Sequence, residues 1–226
     1  MKKKCPILVI EGGDASGKKL QTMLLTKNLR SQGFKVKVFD FPRYNTNMYG
    51  KIIRAYLLGS FGNAVNIDPF LASVLYSMDR AESASLILQA QNDYDVILMN
   101  RYYSANYIHQ AAKIVGADAK KRRLELIKRL EYFELEFLKI PRADQIFYLH
   151  VKPEISQKLM KTQGRTKDQH ENDINYAKRV EEVALWLCNT QKRLWKLIEC
   201  CSDDETILTP KEINRKLFHE VILFLK

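Results

Sequence analysis

The chain has 226 residues, 46% hydrophobic and 28% charged, which suits one globular domain with a full core. No apolar run reaches the ~20 residues that span a bilayer, and MKKKC runs into the first apolar segment without a signal peptide, so a cytoplasmic protein with no membrane partner is expected. The net charge of +11 is spread along the chain and reads as basic helix faces, with no nucleic-acid partner expected. Cys5, Cys188, Cys200 and Cys201 show no C-x-x-C spacing, which argues against a disulfide framework and a cysteine metal site.

The first apolar run, Ile7 to Ile10, reads as a buried strand, and Gly12, Gly13, Asp14, Ala15, Ser16, Gly17 and Lys18 follow it with GxxxxGK spacing. Glycines let the backbone N–H groups wrap a polyphosphate, and the next helix points its positive end at the same anion. Leu20, Met23, Leu24 and Leu29 give that helix its period, with Gly33 as its stop. A second strand, with Val36 and Val38, ends at Asp40-Phe41-Pro42, and a short helix around Ile52–Leu57 closes at Gly59. Asp68-Pro69 opens a helix predicted to run to about Leu88.

Val96–Met99 form a third strand with Asn100-Arg101-Tyr102 at its carboxyl end. From Ala119 to Lys139 the spacing predicts one long helix with Leu126, Leu130, Phe133 and Phe137 on one face. Ile146–Val151 make a fourth strand, and a helix begins near Pro153. A polar stretch over 161–173 interrupts the pattern before Val180, Val183, Ala184 and Leu187 resume it. Leu197-Ile198 offer a fifth strand, and Thr209-Pro210-Lys211-Glu212 is a capping box for the last helix. Strands alternating with helices imply a five-stranded parallel α/β sheet with helices on both faces, and ligands beyond the carboxyl ends of its strands. The phosphate loop, Asp40–Arg43 and Asn100–Tyr102 meet at that edge, which points to an enzyme acting on two phosphorylated ligands.

Taken together, these motifs resemble the thymidylate kinases, P-loop nucleoside monophosphate kinases that move the terminal phosphate of ATP to dTMP. The resemblance covers nearly the whole chain: IEGGDASGKKLQT, FPRYNT with YGKIIRAYL, LASVLYSMDRAESA, NRYYSANYIHQ, and QGRTKDQHE with YAKRVEEV occur in the family's order. It implies the three-layer P-loop NTPase fold as a single domain over 1–226, a lid at about 161–173, ATP and magnesium as cofactors, and a homodimer. By the same resemblance, Gly12, Gly13, Ala15, Ser16, Gly17, Lys18 and Lys19 bind ATP, and Lys18, Arg101, Arg165 and Lys167 serve phosphoryl transfer. Asp14 takes the sugar 3′-hydroxyl, Arg43 and Arg101 clamp the dTMP phosphate, and Tyr76 and Arg80 stack on and donate to thymine. Asn106 and Gln110 face the base from the other side, and His109 stands where relatives often place a tyrosine against the deoxyribose.

Three departures bear on chemistry. Lys19 replaces the hydroxyl that holds magnesium, Asn100 stands where the family motif has Asp, and Ala15 leaves the loop without an arginine, so the lid must supply the cation. No protein side chain is therefore assigned as a direct metal ligand. The alternatives are a kinase for another nucleoside monophosphate and a nucleotide-binding protein with impaired catalysis.

Overall fold

Five apolar runs become parallel strands: β1 (Ile7–Gly12), β2 (Val36–Asp40), β3 (Val96–Asn100), β4 (Gln145–His150) and β5 (Trp195–Glu199). The computed structural model describes residues 5–62, 67–162, 173–204 and 206–226. The strand order is β2-β3-β1-β4-β5, which puts β1 and its phosphate loop at the centre. Alternate β1 side chains feed two cores. Ile7 and Val9 pack with residues that include Tyr107, Leu130 and Val183, while Leu8 and Ile10 pack with Leu25, Leu29, Ile213 and Leu217. Both faces of the strand are buried, which is why it reads as an unbroken apolar run.

The helices are α1 (Lys18–Ser31), α2 (Met48–Leu57), α3 (Pro69–Ala81), α4 (Ala84–Asp93), α5 (Tyr103–Ala111), α6 (Ala119–Glu131), α7 (Pro153–Thr162), α8 (Ile174–Thr190) and α9 (Pro210–Leu225). Helix α9 starts at the expected capping box, Thr209 and Glu212 each bonding the other's backbone. No helix among the described residues is long and apolar enough to cross a membrane.

Two expectations need correction. The helix predicted from Asp68 to Leu88 is broken at Ser83, which is fully buried. The Ser83 hydroxyl donates to the Asp79 carbonyl (3.3 Å) and accepts from Arg43 Nη1 (2.9 Å), so it competes with the helical pattern. The helix predicted over 119–139 changes at Tyr132 into a π-helical turn, Tyr132–Phe137. Its wider winding adds a residue to the turn and rotates the following side chains. Leu126 and Leu130 stay buried as expected, but Phe137 is 65% exposed and Glu134, fully buried, points inward.

At the end of β4, His150 bridges two elements: Nε2 lies 2.7 Å from Glu181 of α8 and Nδ1 lies 2.8 Å from Glu199 of β5. The Glu181 bond raises the imidazole pKa, burial opposes it and Glu199 adds to the rise. A raised histidine contributes stability that is full below its ordinary value of 6.5 and is lost as pH rises through the folded-state value. Urea unfolding at a series of pH values should show this loss, and His150→Leu should flatten it. An unchanged slope in the variant would contradict the assignment.

Candidate active site

A cleft of about 660 Å³ lies at the carboxyl ends of β1, β2 and β3, lined by Asp14, Lys18, Tyr76, Arg80, Arg101 and His109 among others. The phosphate loop forms one wall. Gly17, in the left-handed conformation at φ 79°, turns the chain into α1 without any side-chain cap on the helix. The first N–H groups of α1 are thus left for a ligand. Two lysines and no acidic residue occupy its first turn, an arrangement that the helix dipole disfavours until an anion arrives. Lys18 Nζ folds back onto the loop, donating to the Gly12 carbonyl (3.0 Å), the Gly13 carbonyl (2.6 Å) and Ser16 Oγ (3.4 Å). Lys19 is exposed at the same edge.

Arg101 stands opposite the loop. Its φ of 61° is left-handed, which turns the chain sharply between β3 and α5. Nη2 donates to Asp14 Oδ1 at 2.8 Å, and Nη1 lies 2.8 Å from His109 Nε2. Burial alone would raise the Asp14 carboxyl, but the charges of Arg101 and Lys18 and the Arg101 hydrogen bond hold it at about 2. Asp14 is therefore ionised at any working pH. Burial would lower the Arg101 value, and Asp14 and Glu11 more than reverse that, so the guanidinium stays charged.

Glu11 is a site residue that motif reading misses. Fully buried at the end of β1, it accepts through Oε1 from Tyr102 N (3.1 Å) and Ser104 Oγ (2.7 Å). Tyr102, the residue before α5, makes no side-chain cap bond, so Glu11 caps that helix from another strand. Its Oε2 is buried without a hydrogen-bond partner among the described residues. One acidic residue in the run ILVIEG is the signal that was available.

The base end of the cleft is built on α3 and α5. Arg80, 2% exposed, donates through Nε and Nη2 to Glu134 of the π-helical turn at 2.7 and 2.8 Å, and through Nη1 to the Tyr102 carbonyl at 3.4 Å. Asn106 Nδ2 adds a 2.8 Å bond to Glu134 Oε1. Tyr76 packs edge-on to Tyr56 with ring centroids 6.3 Å apart, and burial keeps its hydroxyl neutral. Gln110 Oε1 is buried without a partner among the described residues, an acceptor facing the same cleft. Glu134 is the second missed residue, because only the π turn aims it at Arg80.

At the floor, Asn100 Nδ2 donates to Asp40 Oδ1 at 2.7 Å. An ionised carboxylate only accepts, so the amide nitrogen must face Asp40, and Asn100 Oδ1 is left buried without a partner among the described residues. Burial pushes the Asp40 carboxyl up, against the Asn100 bond and the charges of Lys19, Arg101 and Lys18.

The structure thus gathers Asp14, Ala15, Gly17, Lys18, Lys19, Tyr76, Arg80, Arg101, Asn106, His109 and Gln110 around one cleft. Gly12, Gly13 and Ser16 sit in the same loop, bonded to Lys18. Arg43 is not among the residues that line this cleft: it lines an adjoining groove beside β2, where Nη1 donates to Ser83 and its backbone N–H bonds Asp79 at 3.1 Å. A Cβ on Gly50 would run into the Arg43 carbonyl, so glycine lets α2 pack this closely on the segment. Arg165 and Lys167, the expected lid cations, lie outside the described residues.

Comparison with known proteins agrees with this geometry. The thymidylate kinase family model matches residues 10–206. The thymidylate kinase of Mycobacterium tuberculosis is 26% identical over 182 residues, covering 78% of this chain and 83% of its own. That of Prochlorococcus marinus is 29% identical over 210 residues, covering 90% and 92%. The solved structure of Candida albicans thymidylate kinase superposes with a TM-score of 0.74 at 20% identity, over 97% of this chain and 92% of that one. With the central phosphate loop, the opposed arginine and a match across most of its length, the chain belongs to the thymidylate kinase family.

Proposed function

We propose that this protein transfers the terminal phosphate of ATP to dTMP, giving dTDP. The observation that carries the reading is the meeting of two anion-binding devices in one cleft, the uncapped start of α1 with Lys18 and the left-handed Arg101. ATP phosphates would take the N–H groups of α1 and draw Lys18 from its loop carbonyls. The dTMP phosphate would sit on Arg101, with ionised Asp14 accepting from the sugar hydroxyl. Tyr76 would stack on the base, Arg80 would donate to its carbonyl, and Asn106 and Gln110 would face it from α5. Phosphoryl transfer is mainly positioning plus neutralisation of the moving charge. Since Ala15 supplies no charge, Arg165 and Lys167 are the proposed source.

Magnesium fits the oxygen chemistry of the floor, where Asp40 and the orphaned Asn100 Oδ1 are hard donors. It would offset phosphate charge. Among the described residues no group of three or more His, Cys, Asp or Glu side chains is placed to hold a metal, so it would arrive on the ATP phosphates. Exposed Leu71, Tyr132 and Phe137, on α3 and the π-helical turn, support a homodimer through that face. Four free cysteines accord with the reducing cytoplasm.

The test of substrate identity is kcat/KM for dTMP, dUMP, dCMP, dAMP and dGMP with saturating ATP and magnesium. The reading expects dTMP to lead, and expects Arg80→Ala to weaken dTMP use with ATP affinity little changed. Preference for a different monophosphate would replace dTMP in the proposal.

A further inference from the structure

We infer that His109 is a positioning residue for Arg101 and ties it to the start of α8; the inference rests on the reading that Arg101 binds the monophosphate. The hydrogen-bond roles follow from one chemical fact. A guanidinium donates and never accepts, so His109 Nε2, 2.8 Å from Arg101 Nη1, must present its lone pair. In this arrangement the ring is neutral and carries its proton on Nδ1. That nitrogen lies 3.3 Å from Tyr176 Oη, which accepts the proton's hydrogen bond. The tyrosine hydroxyl then turns its own hydrogen to the His109 carbonyl, 3.0 Å away.

Tyr176 stands in the first turn of α8, and its backbone N–H bonds the capping Asp173 carboxylate at 3.0 Å. Arg179, one turn on, donates to the Ala112 carbonyl at 2.9 Å and fastens α8 against the end of α5. A continuous line of hydrogen bonds therefore runs from Asp14 in the phosphate loop through Arg101, His109 and Tyr176 to Asp173.

Arg101 is a long side chain held at 2.8 Å by Asp14 on one flank. Without an acceptor on the other flank, its guanidinium would turn both Nη groups onto that carboxylate, since the paired fork is the stronger arrangement. The clamp would then close on the loop and not on the ligand. His109 opposes this pull and keeps the guanidinium spread across the cleft. The phosphate of the monophosphate should feel the loss of His109 far more than the base and sugar do.

The experiment measures affinity for dTMP and for thymidine, which lacks the phosphate, in wild type and variants. His109→Phe removes the acceptor and should weaken dTMP binding by about tenfold or more, the scale of a hydrogen bond to a charged group. Thymidine affinity should fall far less. His109→Gln puts an amide oxygen where Nε2 was and should restore most of the dTMP preference. Should His109→Phe fail to fold, His109→Asn, whose amide reaches Tyr176 but falls short of Arg101, should show the same selective loss. Equal weakening of both ligands, or a wild-type dTMP-to-thymidine ratio in the Phe or Asn variant, would overturn the inference. Arg101→Ala separates it from the underlying reading: if that variant keeps the wild-type ratio, Arg101 is not the phosphate clamp at all.

Discussion

Lys18→Ala is expected to lower kcat by about a thousandfold or more, with dTMP affinity nearly unchanged. The ammonium sits inside the loop that would hold the donor phosphates, bonded to two of its carbonyls. Charge that develops on a transferring phosphoryl group is worth most to a donor already positioned in a water-poor cleft, and loss of one such donor costs about 10²–10³ in rate. The lysine would also neutralise the outer phosphates, which adds to the loss. Single-turnover transfer in wild type and variant, with dTMP binding measured separately, tests this. A variant with normal kcat and only a raised ATP KM would reduce Lys18 to a binding residue.

The largest effect on stability is expected at Glu134. It is fully buried and forms a two-bond pair with Arg80, while Asn106 shares one of its oxygens. Removing one partner of a buried ion pair leaves the other charged in a poorly solvated site, at a cost of about 3–5 kcal/mol. Urea unfolding of Glu134→Ala should show a loss of that order. Replacing both partners, as in Arg80→Met with Glu134→Leu, should recover most of it, because the desolvation of two charges disappears together. The double variant should still select dTMP poorly, since the donor to the base is gone. If Glu134→Ala were nearly neutral, the pair would not be the internal brace described here.

The parts of this fold that were legible in the sequence share a physical cause. Central strands buried on both faces must be apolar throughout, so ILVI and VILM mark their own positions. The phosphate loop is legible because its tight turn favours glycine at fixed positions, as Gly17 at φ 79° shows. The π-helical turn was not. Phe133 and Phe137 keep a spacing that serves an α-helix, and the winding is linked to a pairing 54 residues away in sequence, Glu134 with Arg80. Arg43 shows a related effect: a basic residue just after a strand end looks aimed at the ligand edge, yet it does not line the cleft. Its direction is set by long-range bonds to Ser83 and Asp79. Glu11 was hidden by its own simplicity, since one carboxylate in an apolar strand carries no motif and its cap of α5 spans 91 residues.

The most direct measurement of the central claim is transfer of label from ATP carrying a radioactive terminal phosphate to dTMP, followed across a magnesium titration. Lys18→Ala, which lacks the cation folded onto the loop, serves as the control. The account predicts labelled dTDP from wild type, dependent on magnesium, and almost none from the variant. Wild-type protein that binds both ATP and dTMP yet forms no labelled dTDP at any magnesium concentration would contradict it.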